Sequence, residues 1–200
     1  MAPPRGDHEA RRRDVSEAVW RVLAAHGFGQ LTLRAVAAEM GVSTGLLTHY
    51  FPTKKALVRY AHGIAEERTL AQLQRDITEE GLPALRLALL DVLPLTPESF
   101  AMNRVWVSFW DAAIGDPELG ASETARYERW RGKLRVHVEA AVKLGQMTGD
   151  VDALVVACAA FTHGLVVQAL FDTDRFTPER QTQLLNDFLV RTTPCPSKNG

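Results

Sequence analysis

Cysteine is nearly absent: Cys158 and Cys195 are the only two in 200 residues. Thiols so few and so far apart exclude a disulfide framework and a cysteine-based zinc site. Charge of one sign is not in excess either, with 23 Lys and Arg against 24 Asp and Glu and a formal net of -1. The longest apolar run, Val151 to Leu170, is interrupted by Asp152, Thr162, His163 and Gln168, which argues against a membrane span. No basic segment followed by an apolar stretch opens the chain, so no signal peptide is expected and the protein reads as cytoplasmic. His-Glu-x-x-His, Gly-x-Ser-x-Gly, a phosphate loop and a dinucleotide fingerprint are all missing, so no enzyme, cofactor or metal site is expected. His62 and Glu66 share a helix face, but two such residues make a surface pair rather than a metal site.

What is present has a pattern. With 46% hydrophobic and 24% charged residues the chain is globular in composition, and its length suits one large domain or two small ones. Residues 1–60 carry 9 Lys and Arg against 5 Asp and Glu, a net of +4. The remaining residues carry 14 against 19, a net of -5. A neutral total therefore conceals a basic N-terminal third, which suits a nucleic-acid face on one part only.

Nearly every segment has helical period and none alternates as a strand, which predicts an all-α protein. Residues 1–10 read as a flexible tail. Val15, Ala18, Val19, Val22 and Leu23 form one face of a first helix ending near His26 and Gly27. Thr32 is placed to cap a short second helix carrying Leu33, Val36, Ala37 and Met40 inward. Gly41 interrupts, Ser43 restarts a third helix, and Pro52 stops it. A fourth begins at Thr53, and five more are expected near 82–93, 98–114, 117–145, 151–172 and 178–191. The division is a small basic three-helix head over 10–57 and a larger helical body over 58–192.

Val36 to Leu47 carries the strongest signal. Ala37 is small where two helices cross, Gly41 tolerates positive φ at the tight turn, and Val36, Met40, Val42 and Leu47 share a core. Ser43 caps the third helix and leaves its first residues free for a major groove. An ordinary corner between two helices uses the same residues, so both readings stand on spacing. Lys54 and Lys55 then open the fourth helix with the wrong sign for its dipole, which a phosphate would reverse. They are otherwise solvated charges. Arg34 is placed to reach the backbone across the groove, and His49 and Tyr50 add donors.

Thr32-Leu33-Arg34-Ala35-Val36-Ala37 followed by Gly41-Val42-Ser43-Thr44-Gly45-Leu46-Leu47-Thr48-His49-Tyr50-Phe51-Pro52-Thr53-Lys54-Lys55-Ala56-Leu57 resembles the DNA-binding head of TetR-family repressors. Ser43-Thr44-Gly45 and His49-Tyr50-Phe51 are most similar to the choline-responsive BetI subgroup. Trp106-x-x-Phe109-Trp110, Asp116-Pro117-Glu118-Leu119, Tyr127-x-x-Trp130 and Gly164-Leu165 continue the resemblance more weakly. It implies that the head over 10–57 is a helix-turn-helix DNA-binding domain and the body over 58–192 a ligand-binding and dimerisation domain. It also implies that Thr44 and Gly45 approach base edges, and that Thr32, His49, Tyr50 and Lys54 hold phosphates. Thr48 stands where the family often has a phosphate-binding tyrosine, so its contact would be shorter or absent. Arg11, Arg12 and Arg13 are either further backbone contacts or a solvated run.

In the body, Trp106, Phe109 and Trp110 stand at i, i+3, i+4, and Tyr127 and Trp130 at i, i+3. They are either core or the wall of a pocket that Phe100, Asp111 and His163 would join, for a cationic or aromatic effector. Val155, Ala159, Thr162, Val166 and Ala169 permit close helix approach. With Leu184, Leu185, Phe188 and Leu189 they suggest a homodimer through the last two helices, as the resemblance implies. The expected function is a ligand-responsive repressor binding a palindromic double-stranded DNA operator as a dimer. An architectural DNA-binding protein with no effector is the alternative.

Overall fold

A computed structural model of the chain describes residues 5–72 and 77–193, and within them the side chains of all but 5–10, 12 and 72. The described residues form α-helices, one short 3-10 turn and loops, with no strand among them, as the sequence pattern predicts. In chain order the helices are α1 (Arg5–His26), α2 (Leu33–Met40), α3 (Thr44–Thr48), α4 (Lys54–Gln72), α5 (Leu82–Leu90), α6 (Pro97–Gly115), α7 (Pro117–Lys143), α8 (Val151–Phe171) and α9 (Pro178–Arg191). Helix α1 begins inside the segment read as a tail. Pro3 and Pro4 precede its first turn rather than interrupting it, and the single Gly6 costs a helix only about 1 kcal/mol. Cys195 and the side chain of Arg12 lie outside what is described.

The described residues fall into two compact units: 5–72 with 104–120, and 77–103 with 121–193. In the first, the α1 stripe Val15, Ala18, Val19, Val22 and Leu23 is buried with Leu31, Val36, Ala37, Leu47, Phe51, Leu57, Val58 and Ala61. Each large apolar side chain buried there contributes about 1.5–3 kcal/mol. Tyr60 ties α4 to α1 through a 2.7 Å hydrogen bond with Ser16, and its ring lies 5.0 Å from Phe51. Arg68 pairs with Glu17 at 2.5 Å and covers the Trp20 ring at 4.7 Å. After α1, Gly27 takes φ +69°, and the Phe28 N–H donates to Ser108 Oγ on α6 at 3.0 Å. Phe109 of the same helix lies 4.8 Å from the Phe28 ring.

In the second unit, helix starts are fixed by side chains. Asp150 accepts from the Ala153 N–H and opens α8, and Thr177 accepts from the Arg180 N–H and opens α9. Gln146, from the turn after α7, accepts from the Leu82 N–H at 2.8 Å and so caps α5 across 64 positions. Arg86 donates to Asn186 at 2.6 Å, and Phe161 of α8 stacks on Phe188 of α9 at 4.2 Å.

Helix α8 has two apolar faces. Val155, Cys158, Ala159, Thr162, Leu165, Val166 and Ala169 are buried within the chain, and burial pushes the Cys158 thiol up to about 11. The residues the sequence nominates for close approach of a second subunit are therefore used internally. The opposite face exposes Ala153, Val156, Ala157, Ala160, Gly164, Gln168 and Phe171. On length and composition α8 is also the one described helix apolar enough to cross a membrane.

Candidate nucleic-acid interface and body cluster

The turn between α2 and α3 is built by local chemistry. Thr32 is extended and its Oγ1 accepts from the Ala35 N–H at 3.0 Å, capping α2. Gly41 ends that helix at φ +66°, ψ +30°, and the Val42 N–H returns to the Ala37 carbonyl at 3.0 Å. A Cβ at Gly41 would meet nothing within 4 Å, so glycine is required there by φ alone. Ser43 occupies the N-cap position of α3 as expected, yet its side chain makes no capping hydrogen bond. The expected cap is thus a matter of backbone position only.

Leu47 anchors α3 in the core, while Ser43, Thr44, Gly45, Thr48 and His49 are exposed around it. Tyr50 is half-buried, and Arg34 projects exposed from the first turn of α2. Thr48 donates its hydroxyl proton to the Gly45 carbonyl at 2.7 Å, so in this conformation it has none to offer a phosphate. Thr53 caps α4 by accepting from the Ala56 N–H at 3.0 Å.

The two lysines at that helix start differ. Lys54 is exposed and makes no ion pair among the described residues. Lys55 lies 2.8 Å from Asp116 and 2.9 Å from Glu118, at the corner between α6 and α7. Glu118 also pairs with Arg59, and Asp116 accepts the backbone N–H groups of Glu118 and Leu119. The hydrogen bonds to Asp116 and then Glu118 raise the Lys55 pKa, and those from Lys55 hold both carboxyls below their usual values. The expectation that both ammonium groups face one anion is therefore corrected: Lys55 is turned to carboxylates of its own chain.

The aromatic stripe divides between the two units. Trp106 and Phe109 are buried in the first, where the His62 ring lies 5.4 Å and 4.7 Å from theirs. The Trp106 indole N–H donates to Thr69 Oγ1 at 2.9 Å. Trp106 and Phe109 are core positions, and the Trp106 N–H is satisfied there. Trp110 and Phe100 are half-buried, and Asp111 is exposed. In the second unit the structure brings Tyr127, Trp130 and His163 together. The His163 ring, half-buried on α8, lies 4.9 Å from Tyr127 and 4.6 Å from Trp130 on α7. Desolvation, then the nearby Arg126 charge, pushes the His163 pKa down to about 4. Sequence reasoning missed Arg126 and Glu123, whose spacing of three on a helix was the available signal. Among the described residues no group of three or more His, Cys, Asp and Glu is placed to hold a metal ion.

A tight, glycine-hinged helix pair with an exposed second helix, on a unit that continues into a helical body, defines the helix-turn-helix regulators. Residues 16–61 match the family described as bacterial regulatory proteins, tetR family, and residues 82–194 match the BetI-type transcriptional repressor C-terminal family. The chain belongs to the TetR family and carries a BetI-type C-terminal domain. It is 28% identical over 181 residues to the HTH-type transcriptional regulator PksA of Bacillus subtilis, covering 89% of this chain and 87% of that protein. With BetI of Paraburkholderia phymatum it shares 25% identity over 190 residues, covering 94% and 95%. Among solved structures, a transcriptional regulator from Saccharomonospora viridis in complex with choline superposes with a TM-score of 0.79 at 24% identity, covering 91% and 96%. A TetR regulator from Haloarcula marismortui gives 0.78 at 19%, covering 93% and 100%. These relatives are transcriptional regulators, not enzymes.

Proposed function

We propose that the chain is a ligand-gated cytoplasmic repressor that binds a palindromic operator as a homodimer, with a small organic effector altering its DNA affinity. The observation that carries this reading is the surface of α3: five exposed polar or small residues around one buried anchor, with uncommitted Lys54 beside them. Ser43, Thr44 and Gly45 would meet base edges, and the absent side chain at Gly45 lets the backbone come close. Lys54, Tyr50, His49 and Thr32 would take phosphates, with Arg34 reaching the far strand. The Thr32 hydroxyl suits this, because its oxygen accepts the capping N–H while its proton can still donate.

The exposed α8 stripe supports the dimer. Val156 and Phe171 are 56% and 83% exposed, and the exposed Ala153, Ala157, Ala160 and Gly164 on the same helix admit a second helix closely. A two-fold dimer of this kind would set its heads one DNA turn apart, ~34–36 Å. Tyr127, Trp130 and His163 form the effector site, with half-buried Phe100 of the same unit as a further candidate. The choline bound by the Saccharomonospora viridis fold neighbour supports a small organic effector. Footprinting across the chain's own upstream region is the test. A protected palindrome that weakens with salt is expected, whereas sequence-blind coating would replace this reading with an architectural role.

A further inference from the structure

Glu123, Arg126, Tyr127 and Trp130 stand at i, i+3, i+4 and i+7 on α7 and so share one face. Arg126 grips Glu123 with two hydrogen bonds: Nε reaches one carboxylate oxygen at 3.0 Å and a terminal nitrogen reaches the other at 2.6 Å. The guanidinium carbon also lies 4.8 Å from the Tyr127 ring centroid. That is the place an ammonium ligand would take over an aromatic face. The Arg126 and Glu123 side chains are only 18% and 9% exposed, so solvent screens them weakly. His163, whose ring lies against both Tyr127 and Trp130, is neutral at neutral pH and feels a second positive charge from Arg131. The charges that act on His163 are thus Arg126 and Arg131 on one side and Glu123 on the other, and Glu123 is held by Arg126.

Resting on the reading of this cluster as the effector site, we propose that Arg126 sets its specificity: the protein's own guanidinium holds the cation position, and the effector is an aromatic acid. An incoming organic cation would place uncompensated positive charge beside Arg126 in a desolvated site. A planar carboxylate would put its ring against Trp130 and its charge towards the arginines, where charge-assisted hydrogen bonds are strongest.

Two probes of matched shape test this, phenylacetate and benzyltrimethylammonium, titrated calorimetrically into the full chain at fixed ionic strength. The wild type should favour phenylacetate by about tenfold or more, since the two probes carry charges of opposite sign beside a buried guanidinium. Arg126→Gln should reverse the preference by exposing Glu123 and the Tyr127 face. Arg126→Lys should keep the wild-type order, which separates charge from packing. The double variant E123Q/R126Q removes both charges of the pair, and should lose the preference for phenylacetate without gaining affinity for the cation. A wild type that favours the cation, or an order unchanged in Arg126→Gln, overturns the role of Arg126 and leaves the effector site standing. Binding of neither probe to any form overturns the site itself. Reversal in Arg126→Gln with no change in operator affinity sustains Arg126 and refutes the coupling to DNA.

Discussion

Replacing Lys54 by glutamine should flatten the salt dependence of operator binding, while the same change at Lys55 should barely move it. Each phosphate neutralised contributes about 0.9 to the slope of log affinity against log salt, and a dimer presents two copies of Lys54, about 1.8 together. Between 50 and 200 mM salt that slope corresponds to about a twelvefold change in affinity, so the Lys54→Gln dimer should lose about twelvefold less than wild type over that range. Lys55 begins from a different state, 2.8 Å and 2.9 Å from two carboxylates, and needs no phosphate to balance it. Replacing those carboxylates in an Asp116→Asn, Glu118→Gln protein should release Lys55 and steepen the slope. The pH sign agrees: both carboxyl pKa values are lowered in the folded chain. Their contribution is present above the ordinary values of 3.8 and 4.5 and is lost as pH falls through the lowered ones. Fluorescence anisotropy with a labelled operator across a salt series reads all of this. Equal slope changes at Lys54 and Lys55 would refute the distinction between them.

Gly41→Ala should cost about 1–2 kcal/mol, from the left-handed backbone alone. Gly27→Ala should cost more, about 2–4 kcal/mol, because strain and overpacking add; its new Cβ would lie 2.8 Å from Ser108. Chemical denaturation of both variants checks the order, and equal losses would contradict it. Ala160→Glu places a charge on the exposed α8 stripe and should yield a monomer by light scattering with weakened operator binding; an unaltered dimer would move the interface elsewhere. His163 titrates near pH 4 when folded and near 6.5 when unfolded, so below 6.5 the unfolded chain takes up the proton first. Stability should fall by up to about 3 kcal/mol as pH drops from 6.5 to 4. A His163→Gln protein should lose that component, and melting curves with identical pH dependence would argue against it.

Features legible in the sequence were those set by near neighbours in the chain. The Thr32 cap and the left-handed Gly41 follow from residues within a turn of each, and the α1 stripe follows from a period the helix cannot evade. Distant partners were not legible. Nothing near Lys55 announces that Asp116, 61 positions on, will take it from the DNA face, and Gln146 gives no local sign of capping α5. The spacing of Trp106, Phe109, Tyr127 and Trp130 showed that each pair shares a helix face, but not that burial would commit the first pair to core. For α8 the periodicity was apolar nearly all round. The sequence could not choose between its two faces, because that choice depends on which face α9 covers.

Asp116 performs two tasks with one carboxylate, starting α7 and holding Lys55. Glu118 holds Lys55 and Arg59 and places its charge in the first turn of α7. The two acids are thus unequal as points of adjustment. Altering Asp116 changes helix initiation and the grip on α4 in a single step, with opposing effects that are hard to balance. Altering Glu118 varies the grip in small increments and leaves the Asp116 cap of α7 in place. Variants graded in DNA affinity should therefore accumulate at Glu118 and Arg59, whether by drift or by laboratory selection, while Asp116 tolerates little.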